Sequence, residues 1–326
     1  MRNADQKALI FGISGQDGSY LAQWLLGKGY EVVGTSRDHQ VSRFYGLHYL
    51  GIRDKVRIES ASLNDFRSVL QVIKNEQPNE IYNLAGQSSV GLSFHQPVET
   101  FESISIANLN LLEAIRFLEM PVRYYNAGSS ECFGNTEGAP AYERTPFRPR
   151  SPYAVAKAAS IWQVANYREA FNLFACSGLL FNHESPLRPD RFVTSKIVKA
   201  ACRIACGHKE MLRLGNTSVE RDWGWAPEYV QAMWQMLQQD EPDDFVIATG
   251  ETNSLASFAE AVFSCLELDW RKYTEHDNSL LRASDLLSIR ADPRKAECQL
   301  KWKAQNRMKE VAKLMVEAEL KRTKLL

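Results

Sequence analysis

Residues 7–28 read KALIFGISGQDGSYLAQWLLGK, and the organisation of the chain follows from how this stretch folds. Residues 8–11 form a short apolar run, the length of a buried strand. Gly12, Gly15 and Gly18 follow at three-residue intervals, and Leu21, Trp24 and Leu25 then recur at helical spacing. The pattern is strand, tight turn, helix. One glycine lets the chain turn sharply, one lets the main chain approach a pyrophosphate, and one lets the helix pack close on the strand. The helix start adds unpaired N–H groups and the positive end of its dipole. A bare glycine pattern also suits a turn with no ligand. Set between a first strand and a first helix it marks a dinucleotide site, with Gly12, Gly15, Gln16, Asp17 and Gly18 as candidate contacts.

Further strands are expected at 31–35, 56–59, 80–84, 123–127 and 174–180, with helical patterns at 66–74, 104–118 and 154–171. Such alternation predicts an α/β fold, a doubly wound parallel sheet of Rossmann type covered on both faces. Past Phe181 the rhythm breaks. Helices are expected at 192–206, 227–239, 257–266 and 308–320, a brief strand at 211–214, and a strand-like run at 244–249 that can rejoin the sheet. The expected division is a dinucleotide-binding domain over 1–182, to which 215–252 returns, and a smaller C-terminal substrate-binding lobe formed by 183–214 and 253–326.

The chain has 326 residues, 44% hydrophobic and 24% charged, with 39 basic residues balancing 39 acidic ones. No net field draws it to nucleic acid or to a membrane surface. No apolar run approaches the ~20 residues of a membrane helix, and no secretory pattern precedes the first strand. The six cysteines form no CxxC pair, so free thiols in a reducing cytoplasm are expected, with no metal site.

The end of the second expected strand reads Ser36-Arg37-Asp38-His39. An Arg here suits a ribose 2′-phosphate and an acidic residue suits the 2′-hydroxyl. Arg37 favours NADP, while Asp38 keeps NAD open. Leu84, Ala85, Gln87 and Ser88 close the fourth strand, where strand ends face the ligand crevice. Ser129-Ser130-Glu131 closes the fifth, and Tyr153 and Lys157 share one face at the start of the next long helix. An ammonium beside the phenol is expected to favour phenolate and bring its pKa toward the working range. Tyr153 is then an acid/base for a sugar hydroxyl, Ser130 bonds the same oxygen, and Glu131 offers a second carboxylate.

With these motifs the chain resembles the extended short-chain dehydrogenase/reductases, and among them the GDP-mannose 4,6-dehydratase family. The likeness spans nearly the whole length. Its specific stretches are GISGQDGSYLAQWLL from Gly12, TPFRPRSPYAVAK from Thr145, LFNHESP from Leu180, GNTSVERDWGWAPEYV from Gly215 and DDFVIATGETNSL from Asp243. The resemblance implies a hydro-lyase working through NADP. Tyr153 takes the O4 proton as C4 is oxidised, Glu131 removes the C5 proton, water leaves from C6, and the hydride returns to C6. It implies further that Lys157 holds the nicotinamide ribose and that His183 lies by the cofactor. Ser88, Asn182, Lys196, Arg221 and Arg282 are implied contacts to the GDP-sugar, and the assembly a homo-oligomer, dimer or tetramer. Taken alone, His183 also suits a structural loop, and Arg221 and Arg282 more often a solvated surface.

Departures from the family pattern are Ser130 for Thr, Ala61-Ser62-Leu63 for Gly-Asp-Leu, the 36–39 loop, Leu187 for a basic residue and Ser195 for Arg. They leave room for a related substrate such as a GDP-manno-heptose. A reductase or epimerase of the same family needs no Glu131. A non-catalytic relative of the same fold typically loses the tyrosine that Tyr153 retains.

Overall fold

The structure is a computed structural model and describes residues 6–136, 138–280, 284 and 286–324. From the N-terminus, β1 (Lys7–Phe11) leads through the glycine turn into α1 (Gln16–Gly27). Then come β2 (Glu31–Ser36), α2 (Tyr45–Tyr49), β3 (Arg57–Ser60), α3 (Phe66–Glu76) and β4 (Glu80–Asn83). Two short helices, α4 (Val90–Ser93) and α5 (Pro97–Phe101), run through a π-helical turn into α6 (Ala107–Leu118). Next are β5 (Arg123–Ala127), α7 (Pro152–Phe171), β6 (Ala175–Leu180), β7 (Asn182–Glu184), α8 (Val193–Ala205) and β8 (Leu212–Leu214). The remainder is β9 (Glu220–Trp225), α9 (Ala226–Met236), β10 (Phe245–Ile247), β11 (Thr252–Ser254), α10 (Leu255–Ser264), β12 (Thr274–His276) and α11 (Met308–Lys324).

Seven strands make one sheet in the order β10-β6-β5-β4-β1-β2-β3, every neighbouring pair parallel. Parallel strands bury both faces, and β1 shows how its residues divide between them. Ala8 and Ile10 enter the layer formed with α1 and α9, and Leu9 and Phe11 enter the layer formed with α3, α6 and α7. Tyr82 and Tyr125 take the first side, Ile81 and Tyr124 the second, as the two-residue period of a strand requires. From β1 the chain builds outward to β2 and β3, then crosses to β4 on the other side. That reversal opens a crevice at the carboxyl ends of β1 and β4.

The expected strands and helices of the first 180 residues are present within a few residues of their expected bounds. The chain between 215 and 252 is shared. α9 packs in the α1 layer and β10 joins the sheet edge beside β6. β9 instead pairs with β7 and β11 in a separate three-stranded sheet. A smaller core of α8, α10 and α11 gathers around Trp223 and Phe258, whose rings lie 5.3 Å apart. Asp222 ties the two parts together. Its buried carboxylate accepts the backbone N–H groups of Thr249 (3.0 Å) and Gly250 (2.8 Å), just past β10.

Candidate active site

The glycine turn closes one wall of the crevice. Gly12 has φ +90°, and a Cβ there would lie 2.7 Å from the Leu84 carbonyl carbon, so β4 can leave the sheet only past a glycine. A Cβ on Gly18 would lie 2.3 Å from the Gly12 oxygen, so α1 rests directly on the turn. Gly15 is the N-cap of α1 and supplies no side-chain cap. The first N–H groups of α1 therefore lack a side-chain acceptor at the crevice, a set that fits a pyrophosphate.

Gln16 and Asp17 turn toward β7. The Gln16 amide donates to the His183 carbonyl (3.1 Å) and accepts from the Ser185 hydroxyl (2.8 Å). Asp17 Oδ2 lies 2.9 Å from His183 Nε2, and the imidazole stacks on Tyr229 with ring centroids 4.5 Å apart. Burial alone would lower the His183 pKa and raise that of Asp17. The mutual ion pair and hydrogen bond outweigh it, leaving His183 raised and Asp17 lowered. The first turn of α1 is thus fastened across the crevice to the β7 strand.

The loops after β2 and β4 behave differently. Asp38 Oδ1 accepts the amides of Gln40 (3.0 Å) and Val41 (3.2 Å), which closes a turn, while the Arg37 side chain is exposed. Leu84 and Ala85 line the Gly12 turn. Gln87, at the same strand end, is half-buried, and its side-chain amide donates to the Ser89 carbonyl (2.9 Å) and the Thr100 hydroxyl (3.1 Å), which holds the loop. Ser88 is exposed and bonds Arg191 Nη2 at 3.3 Å, bridging the β4 loop and the segment before α8.

Tyr153 and Lys157 are both buried on the first turns of α7. Ser151 caps that helix by accepting the Ala154 N–H (3.1 Å). Lys157 Nζ donates to the Ala127 carbonyl at 2.6 Å and lies 6.0 Å from the Tyr153 ring centroid. Burial pushes the Lys157 ammonium down to about 8. The Tyr153 phenol moves up, contrary to the expectation that its lysine would lower it. Burial dominates, partly offset by a hydrogen bond from Ser129, while the nearby Cys132 and Glu131 push it further up. Lys157 is turned to a main-chain carbonyl, which explains why it does not offset the phenol's desolvation.

Of the two adjacent serines, Ser129 is the one whose hydrogen bonding lowers the phenol's pKa against the effect of burial. Ser129 is the last extended residue after β5 (φ −153°, ψ 141°) and caps the 3-10 turn Ser130–Phe133 by accepting the Glu131 N–H (3.3 Å), while Ser130 opens that turn and is buried. Glu131 follows in that turn. Its side chain is 13% exposed, and Oε1 lies 3.7 Å from Nε of Arg221 on β9. Arg221 is therefore buried beside the carboxylate. Asn182 is half-buried at the start of β7. Lys196 is exposed on α8 and donates to the Arg213 carbonyl (2.9 Å). Arg282 lies outside the described residues.

Two residues passed over in the sequence belong to this site. Ser129 is one. Arg188 is the other: its Nε lies 3.0 Å from the buried Glu184 carboxylate, its guanidinium sits 3.7 Å from the Phe192 ring centroid, and its charge acts on Asp17, His183 and Tyr153 alike. Leu187, beside it, packs against the α1–α2 layer. A cation therefore stands one residue beyond Leu187.

Chemically, the crevice holds a phenol with a serine partner and a lysine behind it, and a second carboxylate with its own cation. Comparison with known proteins agrees in kind. The family model described as GDP-mannose 4,6 dehydratase matches residues 9–315. GDP-mannose 4,6 dehydratase 2 of Arabidopsis thaliana is 45% identical over 327 residues, covering 97% of this chain and 87% of that protein. The GDP-mannose 4,6 dehydratase of Dictyostelium discoideum is 40% identical, covering 96% and 95%. Among solved structures, the dTDP-glucose 4,6-dehydratase DesIV of Streptomyces venezuelae, with NAD and TYD bound, superposes with a TM-score of 0.87 at 18% identity, covering 98% of each chain. RMD of Pseudomonas aeruginosa, complexed with NADPH, gives 0.82 at 20%, covering 97% and 99%. At such identities these two speak for the fold. The sequence relatives and the family model speak for more: the chain belongs to the GDP-mannose 4,6-dehydratase family.

Proposed function

We propose that the protein is a GDP-mannose 4,6-dehydratase, a hydro-lyase that converts GDP-mannose to GDP-4-keto-6-deoxymannose. The observation that carries the reading is a second acid/base group, the Glu131 carboxylate, in the same crevice as Tyr153 and near enough for its charge to act on the phenol. A reductase needs one acid/base at the carbon being oxidised, whereas a dehydratase needs another at the neighbouring carbon.

A bound nicotinamide dinucleotide would supply a reversible hydride acceptor facing C4 and C6 of the sugar. Gly12, Gly15 and Gly18 shape the turn for its pyrophosphate, and the first amides of α1 bind it. Tyr153 takes the O4 proton, and Ser129 orients that oxygen. Lys157 fixes the phenol's surroundings from below. Glu131 takes the C5 proton, made acidic by the C4 ketone, and delivers a proton to the departing C6 hydroxyl. The domain up to residue 182, to which 215–252 returns, holds the dinucleotide, and the C-terminal lobe holds the sugar nucleotide.

NADP is our reading of the cofactor, because Asp38 Oδ1 is engaged by the turn amides while the exposed Arg37 is placed to meet a 2′-phosphate. An Arg37→Ala variant should lose its preference for NADP over NAD. We read the assembly as a homo-oligomer, dimer or tetramer, supported by exposed Trp162 on α7 and exposed Val98 and Phe117 on α5 and α6, with sedimentation as its test. Location in the cytoplasm is likewise our reading, in keeping with six free cysteines; among the described residues no helix is long and apolar enough to cross a membrane.

The test of function is incubation with GDP-mannose and catalytic NADP, with GDP-manno-heptose in a parallel arm. Loss of water from GDP-mannose, followed by mass, is the expected result. Loss from the heptose alone would reassign the substrate, and loss from neither would refute the reading.

A further inference from the structure

The carboxyl ends of β2 and β3 carry a side-chain arrangement that the acid–base steps do not use. The two strands pair with Ser36 opposite Ser60, the last residue of each, and the chain after β2 then closes a turn. The Ser42 amide and hydroxyl both donate to the Asp38 carbonyl (3.2 and 2.7 Å). The Ser36 and Ser42 hydroxyls lie 2.8 Å apart, and Asp38 Oδ1 accepts the Gln40 and Val41 amides. Beyond the turn, Phe44 is buried in the α1 layer and anchors the loop's far end. His39 stands within the turn so closed. Its Nδ1 lies 2.7 Å from the Ser60 hydroxyl, which ties the turn across to β3. The residue is exposed, and among the described residues the Ser60 bond is the one its ring makes.

Sheet order sets what these groups face. β1 carries the glycine turn, and β2 and β3 follow it on one side of the sheet. A dinucleotide whose pyrophosphate rests on that turn lays its adenosine ribose at the carboxyl end of β2. Arg37 and His39 flank Asp38 at that strand end. A serine hydroxyl donating to Nδ1 leaves the ring proton on Nε2, so the free edge of the imidazole is an N–H donor. Such a donor bonds an ionised phosphate oxygen more strongly than it bonds a hydroxyl.

We propose that His39, held by Ser60, is a specificity-determining residue that joins Arg37 in recognising the adenosine 2′-phosphate of the cofactor. This rests on the NADP reading. Arg37 brings charge on a rotamer-rich side chain. His39 brings a donor already fixed by the loop and by Ser60, so less freedom is lost when the phosphate binds. Ser60 acts through the imidazole and is a positioning residue.

The test is direct binding, without turnover. Calorimetry compares the wild-type protein with His39→Ala, His39→Gln and Ser60→Ala, using NADP and NAD as one pair of probes. Adenosine 2′,5′-bisphosphate and 5′-AMP form the second pair, which differs only in the 2′-phosphate. His39→Ala should weaken NADP and the bisphosphate about tenfold, the scale of one hydrogen bond to a charged group, and NAD and 5′-AMP less than about twofold. His39→Gln restores an N–H donor on a side chain of similar reach and should recover part of the loss. Ser60→Ala should weaken NADP about threefold with the same selectivity, and add nothing further in the His39→Ala background, as expected of residues that act as one unit.

A His39→Ala protein that binds NADP as the wild type does, or that loses NADP and NAD alike, would overturn the proposal. If His39→Ala does not fold, Ser60→Ala decides: a selective loss of NADP supports the proposal, and unchanged or unselective binding overturns it. A wild-type protein that binds NAD more tightly than NADP refutes the cofactor reading and the proposal together. A wild-type preference for NADP that survives intact in His39→Ala overturns the proposal alone.

Discussion

Replacing Gly12 and Gly15 by alanine, one at a time, separates what the glycine turn does for the fold from what it does for a ligand. At Gly12 the backbone angle of +90° and the 2.7 Å approach of Leu84 act together. An L-residue forced to positive φ costs about 1–2 kcal/mol, and pushing a β-carbon into packed backbone costs about 1–3 kcal/mol more. The sum, about 2–5 kcal/mol, is a large share of the 5–15 kcal/mol by which domains are ordinarily stable. With an unfolding entropy of about 2.1 cal/mol/K per residue over 326 residues, it corresponds to a Tm drop of about 3–7 °C. At Gly15 the backbone is ordinary, φ −77° and ψ 171°, and the nearest atom to a new β-carbon is the Gly12 oxygen at 3.3 Å. Gly15→Ala should therefore melt within about 1–2 °C of the parent, yet lose most of the Tm rise that saturating NADP gives. The assay is thermal unfolding by circular dichroism with and without NADP. Equal small effects at both positions, or a Gly15→Ala protein that keeps its full NADP shift, would refute the reasoning.

Three further outcomes follow from the site. Ser129→Ala should lower kcat about tenfold, the loss of one hydrogen bond of about 1.4 kcal/mol, while Ser130→Ala stays near the parent in steady-state assays; the reverse order would restore the sequence expectation. His183→Gln should destabilise by about 1.5–3 kcal/mol, as for a charged hydrogen bond, with a defined pH window. The folded-state pKa of His183 is raised above 6.5, so its contribution is complete below that pH and fades as pH climbs through the raised value, while Asp17, lowered beneath 3.8, keeps the pair intact until stronger acid. The Tm gap between parent and variant should thus narrow in alkali. Lys157 is depressed from 10.5 to about 8, so between those values the unfolded chain binds more protons and stability should rise with pH. Lys157→Met should remove that rise in denaturant titrations across the same range.

What sequence could and could not reveal divides along physical lines. β1 was legible because a strand buried on both faces reads as a nearly continuous apolar run, and β4, β5, β6 and α7 because strand and helix patterns alternate along this part of the chain. β7, β9 and β11 were not anticipated. Two are three residues long, and Asn182–Glu184 and Thr252–Ser254 are polar, so their strand character comes from pairing across the small sheet. The tyrosine, lysine and glutamate of the site were visible as residue types at fixed spacings. Their electrostatics were not, because spacing says nothing of burial, and burial is what raises the Tyr153 phenol and lowers the Lys157 ammonium. Which of two adjacent serines meets the phenol depends on where a strand ends and a turn begins, a distinction of one residue. Arg188 carries no sequence signature of its own, while the apolar Leu187 beside it is explained by its packing on the α1–α2 layer.

The central claim is that Glu131 is the base that turns an oxidation into a dehydration. It is tested most directly by a single turnover of Glu131→Gln on GDP-mannose labelled with deuterium at C4, following the label and the C6 oxygen by mass. The account expects deuterium to leave C4, a 4-keto sugar to form, and the C6 oxygen to stay. Deuterium arriving at C6 with water lost at the parent rate would contradict it.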